Sequence, residues 1–151
     1  MVLTNVVGAN EADDTTITIT GHTAGATPFI SNLTLEVSNT AVLKSIQFAI
    51  DAKPGSVTRP LSGTYGNSYL LSRGFEQPPP ATTVIVPVYG LYAGYRNIVR
   101  LTYSFMDGSS KQTVTSITTA TFDDTCGYDN PTIQQARKHS TDLSYDYLMG
   151  H

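Results

Sequence analysis

Tryptophan is absent from this chain and cysteine occurs once, at Cys126. Without an indole and with a single thiol, no antibody-type core pinned by an internal disulfide can form. The lone thiol also excludes a multi-cysteine zinc site. It fits an unpaired surface thiol, or half of a disulfide whose partner lies outside the chain. Charge is scarce as well: charged residues are 14% of the 151, against about 25% in an ordinary soluble domain. The net charge of −3 leaves no basic footprint for nucleic acid or anionic lipid. No apolar run approaches the roughly 20 residues of a membrane-crossing helix, so no membrane span is expected. Residues 1–7 lack the basic start and long apolar core of a secretory signal. That fits a cytosolic chain or a mature one whose signal was removed.

Threonine, serine, glycine and proline take the place of the missing charge. Threonine is β-branched and polar, which suits the solvent face of strands, and this balance is common in secreted bacterial β domains. The clearest pattern lies in residues 84–120. From Asn97 onward, Val99, Leu101, Tyr103 and Phe105 alternate with Arg100, Thr102 and Ser104. A period of two marks a half-buried strand. Asp107-Gly108 follows as a hairpin turn, because Gly, and to a lesser degree Asp, tolerates positive φ. The corner before it, residues 90–97, places Leu91 between Gly90 and Gly94. Such a corner lets the chain cross between sheets while Leu91 plugs the end of the core.

Earlier residues repeat the pattern. Residues 1–13 read as a loose entry. Ile17 and Ile19 alternate with threonines over 15–20, and 21–28 is a small-residue loop. Phe29, Leu33, Leu35 and Val37 share one side of a second strand. Ile46, Phe48 and Ile50 face inward from a third, which ends at the Lys53-Pro54-Gly55 turn. Residues 57–72 are less regular. They suggest two short strands, 58–65 and 68–72, demoted to edges or bulges by Pro60, Gly63 and Gly66. Gln77 to Ala81 reads as a stiff polyproline spacer. Residues 82–88 form a strand into the corner. On the return strand Val114 and Ile117, three apart, cannot both face inward without a bulge, which leaves its register open. About seven strands at this spacing predict an all-β, immunoglobulin-like β-sandwich over residues 1–122.

Residues 123–151 change character. An acidic loop leads to Asn130-Pro131, a helix start, and residues 132–139 predict one or two helical turns. Residues 142–149 then alternate like a new strand. We expect a linker, a short helix and the first strand of a following domain; pairing back onto the sandwich edge is the alternative.

Candidate chemistry is thin. His22, His139 and His151 have no second ligand at metal spacing. Asp123, Asp124 and Asp129 match no calcium-loop spacing, and the pair Asp142 and Asp146 has no cleft around it. No nucleophile elbow or phosphate loop occurs. Neither a catalytic residue, nor a metal ligand, nor a cofactor is predicted. Tyr89, Tyr92 and Tyr95, with Arg96 beside them, are the candidate interaction surface, since tyrosine offers a flat apolar ring with a polar tip.

Three segments carry a family resemblance. They are Thr27-Pro28-Phe29-Ile30-Ser31, then Ser45-Ile46-Gln47-Phe48 with Lys53-Pro54-Gly55, and above all Val86-Pro87-Val88-Tyr89-Gly90-Leu91-Tyr92-Ala93-Gly94-Tyr95-Arg96-Asn97. Together they resemble the N-terminal domain of bacterial arylsulfate sulfotransferases. Tyr128-Asp129-Asn130-Pro131-Thr132-Ile133 is similar to that family's link into its catalytic part. The resemblance implies a periplasmic parent protein that moves a sulfuryl group from an aryl sulfate to a phenol. Its chemistry would reside on a histidine of a following β-propeller, so no catalytic residue is carried onto this chain. The partners implied are that catalytic domain of its own longer chain and a second protomer, in a homodimer. The rival expectation is a secreted module that binds glycan or a surface protein through its tyrosines. A small hydrolase using Asp123 and Asp129 is a weaker one.

Overall fold

The computed structural model describes residues 10–56, 58–77 and 80–127. Its seven strands form two antiparallel sheets. The first sheet orders β1 (Ile17–Ala24), β2 (Ile30–Val37) and β5 (Thr83–Tyr89) as β1-β2-β5. The second joins β3 (Leu43–Ile50), β4 (Leu61–Gly66), β6 (Arg96–Phe105) and β7 (Ser110–Thr118) in the order β4-β3-β6-β7. This is the expected immunoglobulin-like sandwich.

Alternation builds the core. Leu33, Leu35 and Val37 of β2 and Val84, Val86 and Val88 of β5 are fully buried. Facing them are Ile46, Phe48 and Ile50 of β3 and Val99, Leu101, Tyr103 and Phe105 of β6. Leu91 plugs one end at 2% exposure, as the corner predicts. At the other end Ala12 of the short helix α1 (Glu11–Asp14) and Leu70 are buried. Phe29 shares the inward phase of β2 but lies beyond its end and is exposed.

Two expectations change, and one point left open is resolved. The first strand does not stop at residue 20. A bulge between Ile19 and Gly21 resets the register, and β1 runs on to Ala24 through backbone pairing with β2. Past the bulge its residues are exposed, so no apolar period marked this half. Secondly, residues 67–72 are not a strand but the helix α2 (Asn67–Ser72). Here the chain crosses from β4 in one sheet to β5 in the other. One helical turn drops Leu70 into the core, while the Asn67 amide donates to the Leu43 carbonyl at 2.8 Å. Thirdly, β7 pairs with β6 without a register break: Ile117 is buried, and Val114 faces solvent at 58% exposure. The bulge that brings two apolar residues three apart to one face lies instead in β3, between Leu43 and Ser45. The helix and strand expected over 132–149, with Asp129, Asp142, Asp146, His139 and His151, lie outside the described residues, as does part of the proline spacer.

The sheets are unequal, so the flanks need closing. On the β4–β5 flank aromatic rings do this. Tyr65 stacks on Phe48 and on Tyr69, and Tyr89 meets Phe48 edge-on at 5.0 Å. The Tyr65 hydroxyl donates to the Pro87 carbonyl at 2.7 Å. Proline is tolerated there because it lies on an edge strand; two residues earlier on the same edge, the Ile85 N–H bonds the Phe75 carbonyl. Burial, reinforced by the neighbouring Tyr89 and Tyr69 phenols, pushes the Tyr65 phenol up to about 12. Gly63 lies under this stack. A Cβ there would come within 2.6 Å of the buried Phe48 ring.

Gly63→Ala should therefore cost roughly 1–3 kcal/mol in urea unfolding, the usual penalty of overpacking. Gly21→Ala, where nothing lies within 4 Å, should be close to neutral.

Candidate functional site

Tyr92, Tyr95 and Arg96 belong to the corner that carries the chain from β5 to β6. The corner turns at Gly90 (φ 82°) and Gly94 (φ 58°), a region open chiefly to glycine. What holds it is Asn97, 1% exposed. Its carbonyl oxygen accepts from the Tyr92 N–H at 2.8 Å. Its amide donates toward the carbonyls of Tyr92, Tyr95 and Ile117 at 3.0, 3.1 and 3.3 Å. Two amide hydrogens serve three carbonyls, so one is shared. Thr119 adds a second tie: its hydroxyl donates to the Tyr92 carbonyl at 2.6 Å, and its N–H donates to the Tyr95 carbonyl. The Gly94 N–H reaches the Ala120 carbonyl at 2.7 Å. The corner is thus stitched to the residues that leave β7.

The four residues of the predicted surface do not form one patch. Tyr92 and Tyr95 meet edge-to-face at 5.9 Å, and the Lys53 ammonium lies 5.1 Å from the Tyr95 ring centre. The Tyr92 hydroxyl shares a hydrogen bond with Thr58. The Thr58 hydroxyl, and then the Lys53 backbone, hold the Tyr92 phenol below its ordinary value. Arg96 opens β6 opposite Thr118 and is exposed. Tyr89 turns away to the β4 flank, against Phe48.

Other residues join the corner end. Phe122, carried there after β7, packs on Phe29 with ring centres 5.1 Å apart, and both are exposed. Phe29, Lys53, Leu91, Tyr92 and Phe122 line an open depression. A second groove, of about 290 Å³, lies between the β1–β2 connection and the end of β7. On its wall His22 Nδ1 sits 3.1 Å from the hydroxyl of Ser31, whose own hydrogen goes to the Thr23 carbonyl at 2.9 Å. Ser31 is thereby engaged as a donor to backbone and is not poised as a nucleophile. Cys126 is a free, exposed thiol. Among the described residues no three of His, Cys, Asp or Glu gather around a metal position.

The signal for Asn97 was in its parity. It shares the inward phase of Val99 to Phe105, and a polar residue in that phase must be hydrogen-bonded inside. Ser31 holds the equivalent place in β2. The Phe29–Phe122 contact had no local signal, because it joins residues far apart in sequence.

A buried carboxyl lies at the opposite end. Glu76 is 2% exposed, pairs with Val84 as an isolated bridge, and has no partner for its Oε2 among the described residues. Burial raises its pKa, against a smaller opposite effect of the Thr40 hydroxyl.

The class defined by fold and corner is an immunoglobulin-like sandwich domain whose corner is held by Asn97 and Thr119. A family model described as the arylsulfotransferase Ig-like domain matches residues 27–120, more than half of the chain. The chain belongs to the arylsulfotransferase Ig-like domain family. The match starts just before β2 and runs past β7, leaving β1 outside. Comparison with curated proteins and with solved structures gives no match.

Two outcomes follow. Asn97→Ala leaves the Tyr92 N–H without its partner and takes one donor from the carbonyls of Tyr92, Tyr95 and Ile117, the first two of which keep Thr119. At ~1–3 kcal/mol for a stranded buried group, it should lower unfolding stability by about 2 kcal/mol or more. For Glu76, the unfolded carboxyl titrates near 4.5 and the folded one higher. Its contribution is therefore intact below 4.5 and is lost as pH rises through the folded value. Urea midpoints against pH should show the native protein losing stability relative to Glu76→Gln across that window; parallel profiles would refute the assignment.

Proposed function

We propose that this chain is a non-catalytic, structural domain at the N-terminal side of an arylsulfotransferase. The supporting observation is the family match, which spans six of the seven strands and the whole corner. The structure fits that role. Its inward side chains make a core, and the buried amide at its corner, Asn97, is committed to backbone.

In this reading the transfer chemistry resides in a following propeller domain, to which residues 123–151 lead. There a histidine carries the sulfuryl group from an aryl sulfate to a phenol. The sandwich packs on that domain and helps to pair two protomers in the periplasm. Tyr92, Tyr95 and Arg96, with Tyr89 on the adjoining flank, are the surface we assign to such packing. Aromatic rings with polar tips suit an interface that must also stand in water.

The chain, purified and supplied with 4-nitrophenyl sulfate and phenol, should release no nitrophenol above the uncatalysed rate. Robust turnover would contradict the reading.

A further inference from the structure

We propose that the groove between the β1–β2 connection and the end of β7 seats residues 142–149 of this same chain. The groove walls are small and mostly apolar: Ala24, Ala26, Pro28 and Ile30 on one side, Ile117 and Ala120 on the other, interspersed with threonines. Its shape has a backbone cause. At Gly25 the chain folds so closely onto β2 that an added Cβ would lie 2.8 Å from Ile30. Past its bulge, β1 leaves the core and exposes Gly21 to Ala24. The space between β1 and β7 at this end is therefore unfilled, and Ala24, Ala26 and Ala120 are exposed. His22 is the one wall residue able to carry charge. An occupant must thus turn an apolar side inward and keep its charges outside.

Residues 142–149 have that pattern. Leu143, Tyr145 and Tyr147 alternate with Asp142, Ser144 and Asp146, so a strand would segregate rings from carboxylates. The segment is also tethered at the site. Thr119, Ala120 and Thr121 form part of the groove wall and are the residues by which the chain leaves β7. Beyond Gly127, residues 128–141 separate that exit from the segment. A flexible linker of that many residues spans about 20 Å. A tether of that length gives a millimolar-scale effective concentration, so even weak groove binding is populated. An extended segment laid along open strand edges and into a groove is an established recognition mode. Only its consequence rests on the functional reading: seated here, residues leading to a following domain are fixed to the sandwich.

The test uses the full chain with Cys126→Ser, so that one introduced thiol reports. Ala26→Cys places it on the groove wall, and Val114→Cys on the far face of the second sheet. Labelling by a small aromatic disulfide is followed with the tail intact and with Leu143→Asp plus Tyr145→Asp. We expect the tail changes to speed labelling at position 26 at least ten-fold and to leave position 114 unchanged. A peptide of residues 140–151 added to the changed-tail protein should slow position 26 again. Equal rates at position 26 with either tail would overturn the proposal. So would protection that appears only as protein concentration rises, which would make a second copy the occupant. Neither result bears on sulfuryl transfer, so the functional reading stands or falls separately.

Discussion

One buried amide governs how the two sheets are joined at the corner end. Asn97 starts the inward series of β6, yet it serves backbone rather than core. It takes the Tyr92 N–H and supplies hydrogens to carbonyls of the corner and of β7. A corner between sheets cannot satisfy its own backbone by ladder pairing, and burying those groups unpaired is costly. Asn97 and Thr119 together remove that cost. Leu91 can then enter the end of the core, and Tyr92 and Tyr95 are set against each other outside it.

A second constraint is the unequal strand count. A three-stranded sheet cannot cover a four-stranded one, so each flank has an opening. On the β4–β5 side the opening is filled by Tyr65, Tyr69 and Tyr89 around Phe48, and Gly63 supplies the room. On the β1–β7 side neither strand carries a phenylalanine or tyrosine ring. The bulge in β1 carries its second half outward, and small residues line what remains. One flank is closed by aromatic packing and the other is left as an apolar groove beside the departing chain.

Much of this was legible from residue pattern. The strands with a clean period of two, β2, β3 and β6, came out with their inward faces correct, because burial on one side imposes that period. The Asp107-Gly108 turn and the Gly90–Gly94 corner followed from positive φ. What failed did so for a physical reason. β1 beyond residue 20 is held by backbone pairing and the His22–Ser31 contact, with its side chains exposed, so they carry no apolar signal. Residues 67–72 are a helix because a crossover between sheets must satisfy its backbone locally, and propensity over six residues cannot announce that. In β7 the inward positions before Ile117 are Lys111, Thr113 and Thr115, so no apolar series chose between Val114 and Ile117 and the register stayed open. The interaction surface was legible as composition but not as geometry, since Tyr89 belongs to the strand that precedes the corner and faces the other way.

The claim that the corner is a rigid, pinned junction is the one on which the rest turns. Amide hydrogen exchange measures it directly. The N–H groups of Tyr92, Gly94 and Thr119, each bonded across the corner, should exchange as slowly as those of the central strand β6, by global unfolding alone. Exchange at the rate of an open loop, with β6 still protected, would show that Asn97 does not hold the two sheets together.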